Sequence, residues 1–172
     1  LALTITSLRL DLHPMLVENE VLLLLGGNVG VPLEYLQKAE GELERIAGKI
    51  VARSRDHWTV PVGFEDDRLF LNRALLILTN KDPSELLAIC SNIENEGGRI
   101  RSDSAGYGPR TLDIDILLFG DRVVEDHDLL IPHPRMHERL FALSPAADIC
   151  PDAIHPTLHT SVLQLLSKLG HT

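Results

Sequence analysis

The eight residues Leu112-Asp113-Ile114-Asp115-Ile116-Leu117-Leu118-Phe119 leave the backbone little choice. Apolar, β-prone residues alternate with acids at the start of the run, which is the pattern of a β-strand. Successive side chains on a strand point to opposite faces, so Asp113 and Asp115 share one face. Leu112, Ile114 and Ile116 then turn to a core on the other. Two like charges on a half-buried strand cost free energy unless something positive lies between them. A divalent cation and Arg110 are the candidates. Any fold for this chain must therefore bury one face of the strand and leave the other lining a polar site.

A chain of 172 residues is long enough for one domain with a true core and short for two. Residues 21–172 are expected to form that single domain, and residues 1–20 an N-terminal extension whose role stays open. The formal net charge of −9 argues against nucleic acid or an anionic membrane as partner. Against that background, Arg99, Arg101 and Arg110 cluster between Gly97 and Leu112 with Asp103 as the one acid. A local basic patch on an acidic chain points to a small anionic ligand. Cys90 and Cys150 offer neither a disulfide framework nor metal-ligand spacing and read as reduced thiols. The first twenty residues lack a signal-peptide layout, and no apolar run approaches the ~20 residues of a membrane span. A cytoplasmic monomer is expected.

Read in order, Val21–Leu25 is a buried strand ending at Gly26-Gly27-Asn28. Pro32 opens a helix whose apolar residues recur at helical spacing until Gly48. Lys49–Trp58 reads as one strand, Thr59–Arg68 as a loop and Phe70–Thr79 as another strand. Asp82-Pro83-Ser84-Glu85 is a helix start, with an acid at the N-cap, proline at N1 and glutamate at N3. That helix runs to Gly97-Gly98, and a glycine-containing loop leads into the acidic strand. Gly120-Asp121 then suggests a hairpin into Arg122-Val123-Val124. A short helix at Met136–Leu143 and a last helix at Thr160–Leu169 complete the chain. The first six elements follow the order β-α-β-β-α-β. This predicts an α+β, ferredoxin-like fold: an antiparallel sheet with helices packed on it, plus extra C-terminal helices.

The chemistry suggested by the residues is phosphate chemistry. Same-face carboxylates can hold Mg²⁺ ions whose remaining ligands come from phosphate oxygens and water. Guanidinium forks match phosphate geometry. The loop glycines, Gly97, Gly98, Gly106 and Gly108, suit a closing segment. His133, between two prolines, is a candidate for a phosphate contact. Gly26-Gly27-Asn28 lacks a phosphate-loop pattern and reads as a turn shaping a site wall.

The segment Gly108-Pro109-Arg110-Thr111-Leu112-Asp113-Ile114-Asp115 resembles the signature of the 6-hydroxymethyl-7,8-dihydropterin pyrophosphokinases. The resemblance runs from about Val21 to the C-terminus. It includes the Gly-x-Asn after the first strand, a Thr-x-Pro-x-Gly loop, Phe-Leu-Asn, Gly-Arg-x-Arg and a late Pro-His. It implies transfer of the pyrophosphoryl group of ATP to the hydroxymethyl of the pterin, with release of AMP, in folate biosynthesis. It further implies two Mg²⁺ ions on Asp113 and Asp115, and catalytic roles for Arg99, Arg110, Asp113 and Asp115. ATP would meet Glu94, Arg99, Arg101, Arg110, Ile116, His133 and Arg139. The pterin would meet Thr59, Val60, Val62, Phe70, Asn72, Asp113 and Phe141, with the two phenylalanines stacking on its ring. The chain departs from the family's usual residues at Gly27, Ser102, Tyr107 and Pro134, and the loop before Gly108 is one residue longer. Other classes that fit the residues are another two-metal nucleotide-dependent transferase and a ferredoxin-like module that binds a ligand without turnover.

Overall fold

The computed structural model of the chain describes residues 18–97 and 108–170. Residues 1–17, Gly98, Arg99, Arg101, Ser102, Gly106 and Tyr107 lie outside the described residues. Strand β1 (Asn19–Gly27) is followed by α1 (Pro32–Ile46), β2 (Lys49–Arg53), β3 (His57–Thr59), β4 (Phe70–Thr79), α2 (Pro83–Glu96) and β5 (Asp113–Phe119). The sheet runs in the order β2-β4-β1-β5, with β3 also paired to β4, and every pairing is antiparallel. This is the expected ferredoxin-like order, with β2 and β3 as two pieces of one expected strand.

Local chemistry accounts for the helix starts. Asp82 accepts from the Glu85 backbone N–H at 2.8 Å while Glu85 accepts from the Asp82 N–H at 2.9 Å, so two orphan donors are satisfied reciprocally. Ser161 and Gln164 repeat the device at the start of α4 (Val162–Leu169). Pro32 opens α1 at N1, where its missing N–H costs nothing.

Side-chain alternation sorts the sheet into two faces. Val21, Leu23, Leu25, Leu71, Leu75, Ile77, Ile114 and Ile116 pack beneath α1 and α2. Leu22, Leu24, Ala74, Leu117 and Leu118 pack beneath α3 (Leu140–Ile149) and α4. Leu117 is an extra residue between the pairs Leu23–Ile116 and Leu22–Leu118. This bulge turns two consecutive leucines to the α3 side and returns Phe119 to the other core.

Three expectations are corrected. Lys49–Trp58 is two strands rather than one. The chain leaves β4 at Ser54–Asp56, where Ser54 Oγ accepts from the Ala74 N–H at 2.9 Å and Asp56 pairs with Arg73. The hairpin after β5 does not form: Gly120 turns with φ +54, and β6 (Val124–Glu125) pairs with β7 (Leu130–Ile131) in a separate two-stranded sheet. The helix expected at Met136–Leu143 is a 3₁₀ turn (Met136–Glu138) followed by α3, because Arg139 is extended and serves as the N-cap of α3. That helix continues past Pro145 to Ile149 because the burial of Ala142, Leu143 and Ala146 outweighs the proline's lost hydrogen bond.

Candidate functional site

At the glycine end of β1, the α3 side of the sheet opens into a cleft of about 440 Å³. Six elements or their connections line it. Gly26 forms part of the floor, Thr59 ends β3, Val60, Val62 and Phe64 follow it, and Phe70 and Asn72 lie on β4. Arg110, Asp113 and Asp115 come from β5 and the residues before it, His133 from the loop after β7, and Arg139 and Phe141 from the start of α3.

Asp113 and Asp115 share a face, as the alternation requires, and both line the cleft. Arg110 pairs with Asp113 through Nη1 and Oδ2. Burial first, and then the neighbouring Asp113 charge, push the Asp115 carboxyl well above the usual carboxylate range; Arg139 and Arg110 pull against this. A cation held between the two carboxylates would remove the cost, so the donor set fits a hard divalent ion.

The backbone of Arg110 is fixed by the turn after β1. Its N–H donates to Asn28 Oδ1 at 3.1 Å, and its carbonyl accepts from the N–H groups of Asn28 at 2.9 Å and Val29 at 3.2 Å. A Cβ on Gly27 would sit 2.3 Å from the Thr111 carbonyl oxygen, so only glycine allows this close approach. Asn28 is buried, and its role as a clamp on Arg110 goes beyond the site-wall turn expected of the segment.

The aromatic half of the cleft is equally determined. Asn72 is buried and donates from Nδ2 to Thr59 Oγ1 at 2.9 Å, tying β4 to β3. Phe70 meets Phe64 edge-on, with ring centroids 6.1 Å apart. The Arg139 guanidinium carbon lies 5.5 Å from the centroid of the Phe141 ring. His133 donates its backbone N–H to the Leu117 carbonyl at 2.9 Å, and its Nδ1 accepts from the Arg135 N–H at 3.1 Å. Burial and then the Arg139 charge lower its pKa to about 4, so near neutral pH the ring is uncharged and carries its proton on Nε2.

Of the site residues expected from sequence, Thr59, Val60, Val62, Phe70, Asn72, Arg110, Asp113, Asp115, His133, Arg139 and Phe141 surround this one cleft. Two others lie off its wall. The Ile116 side chain is buried in the core beneath α1 and α2. Glu94, also buried, accepts from the Ile114 N–H at 2.7 Å and so holds β5 against α2. Its place in the helix's apolar row with Leu86 and Cys90 was a readable sign of burial. Phe64 and Arg135 also line the cleft and carried no sequence signal, since both lie in irregular segments.

A family model for 7,8-dihydro-6-hydroxymethylpterin-pyrophosphokinase (HPPK) matches residues 22–151. The chain is 45% identical over 135 residues to the 2-amino-4-hydroxy-6-hydroxymethyldihydropteridine pyrophosphokinase of Bacillus subtilis, covering 78% of this chain and 80% of that protein. The corresponding Synechocystis protein is 37% identical over 148 residues, covering 86% of this chain and 75% of the other. Among solved structures, wild-type Plasmodium falciparum HPPK-DHPS superposes with a TM-score of 0.72 at 18% identity over 88% of this chain. That likeness concerns the fold, and this chain spans 44% of the longer one.

Proposed function

The chain belongs to the 7,8-dihydro-6-hydroxymethylpterin-pyrophosphokinase family, and on that premise we propose that it transfers the pyrophosphoryl group of ATP to the hydroxymethyl of 6-hydroxymethyl-7,8-dihydropterin, a step in folate biosynthesis. The hydroxymethyl oxygen forms a bond to the β-phosphorus and gives up its proton to water. The bond from that phosphorus to the α,β-bridging oxygen breaks, and AMP leaves. Such a transfer needs little covalent help from a protein; it needs positioning and charge neutralisation.

One cleft holds residues suited to both substrates, and that juxtaposition carries the assignment. Phe70 and Phe141 offer aromatic faces to a flat heteroaromatic ring. Asn72 and the loop Thr59–Val62 offer polar groups for its edge. These enforce selectivity, because a ring lacking the matching groups would leave buried partners unpaired. Arg110, Arg139 and the Nε2–H of His133 present donors to an anionic chain of phosphates. Arg99 and Arg101 are assigned the same task from sequence.

Asp113 and Asp115 would hold Mg²⁺, which when bound neutralises phosphate oxygens. Asp113 would serve both the ion and the pterin, and Arg110 pairs with it. Glu94 supports β5 from behind, and the buried Ile116 side chain leaves only that residue's backbone to meet the nucleotide. Replacing Asp115 by alanine should abolish nearly all AMP release while leaving the circular-dichroism spectrum unchanged. Near-normal turnover of that variant at saturating Mg²⁺ would refute the ion-holding role.

A further inference from the structure

Two walls of the cleft belong to elements that meet at a second point, away from the site. Along α3, Phe141, Ser144 and Asp148 recur at i, i+3 and i+7 and so share one face of the helix. On β3, His57 and Thr59 share a face, while Trp58 between them points outward and is 52% exposed. His57, Trp58 and Thr59 on one side and Phe141 and Ser144 on the other line a side cleft of about 360 Å³, in which Thr59 and Phe141 are also lining residues of the main site. Open space, rather than packed side chains, separates the walls there.

Asp148, one turn along α3 from Ser144, ties the two elements together. Its Oδ1 accepts from Arg55 Nη2 at 3.0 Å, and its Oδ2 from Arg55 Nε at 3.1 Å and from the Arg55 backbone N–H at 3.3 Å. His57 Nε2 lies 2.8 Å from the same Oδ2. Burial would raise the Asp148 carboxyl, but the bonds from Arg55 and His57 outweigh it and hold the group below the usual carboxylate range. Between these two residues, Asp56 pairs with Arg73 of β4, so the segment entering β3 is anchored on its other side too.

We propose that Asp148 is a positioning residue for the pterin, setting the gap between the α3 wall that carries Phe141 and the β3 wall that carries Thr59. The proposal rests on the pterin reading of the main cleft. The Arg55 side chain is 78% exposed, and an ion pair with so wet an arm adds little to stability. Its contribution is geometric: four donors from Arg55 and His57 converge on one carboxylate and fix the helix against the strand. Thr59 matters doubly, because it accepts from the Asn72 amide and is the last residue of β3.

The test is steady-state kinetics with each substrate varied in turn, beside calorimetric binding of the pterin. Asp148→Asn should raise KM for the pterin roughly tenfold and leave KM for ATP nearly as it was. Asp148→Glu, which restores the charge, should recover most of the loss. Arg55→Ala changes a mostly exposed side chain and so should fold even if the Asp148 variants do not; it should raise the same KM about threefold. An unchanged pterin KM in Arg55→Ala and Asp148→Asn, or equal losses for both substrates, would overturn the positioning role. Wild-type protein that binds no pterin at all would instead refute the reading of the cleft on which the proposal stands.

Discussion

The two faces of one sheet are built from the same strands and sorted by the same alternation, yet they do different work. Beneath α1 and α2 the face is sealed with Leu, Ile and Val side chains. Beneath α3 and α4 the apolar packing stops short, and the strand ends carry Asn72, Asp113 and Asp115 into a cleft. Strand β5 shows the difference within four residues: Ile114 and Ile116 lie in the sealed core, while Asp113 and Asp115 face the site. The sealed face supplies the rigidity that lets two carboxylates sit close together on the other. A charge pair that would be costly on its own is held in place by apolar burial one residue away.

Substitutions on the two faces should therefore separate stability from chemistry. The largest contrast pairs Asp115→Ala with Leu75→Ala. The first should cost about a thousandfold in turnover with little change in melting temperature. The second removes a fully buried side chain from the sealed face and should cost about 3 kcal/mol of stability, with turnover per folded molecule preserved. If Leu75→Ala lowered turnover of the folded fraction as deeply as Asp115→Ala, the division between the faces would fail.

Within the open face, the aromatic and phosphate halves should separate in turn. Phe141→Ala should weaken pterin binding by about 2 kcal/mol, roughly thirtyfold, and ATP binding far less. Equal losses in calorimetry would sink the stacking role.

A smaller effect depends on pH. The folded-state pKa of His133 is lowered from 6.5 to about 4, so the unfolded chain takes up this proton first as the pH falls. The neutral ring's contribution is fully present above pH 6.5 and is lost between 6.5 and about 4. His133→Gln should flatten the fall in stability across that window, as measured by urea unfolding at closely spaced pH values. The smallest effect belongs to the sealed layer: Asp82→Ala removes a capping box far from the cleft and should cost about 1 kcal/mol with no change in either KM.

How much of this was legible in the sequence follows the range of the interaction. Asp82–Glu85 and Pro32 act within one helical turn, and both helix starts lie where local chemistry puts them. The Asp113–Asp115 face follows from alternation alone. The break between β2 and β3 was not legible, because it rests on Arg73, 17 positions from Asp56 in sequence, and on Asp148, 91 positions from His57. The extent of α3 was hidden because a proline usually ends a helix, and only the buried packing around Pro145 overrides that rule. In the site, eleven of the residues expected from the resemblance line one cleft. Those that fix them, Asn28 on Arg110 and Asp148 on β3, act across folds of the chain that no local spacing reveals.

The most direct measurement is product analysis. Purified protein would be mixed with ATP, Mg²⁺ and 6-hydroxymethyl-7,8-dihydropterin, and the nucleotide products separated and identified. Attack at the β-phosphorus predicts AMP in equal amount to a pterin diphosphate, with neither accumulating when the pterin is left out. ADP or free pyrophosphate as the main product, or AMP formed at the same rate without pterin, would contradict it.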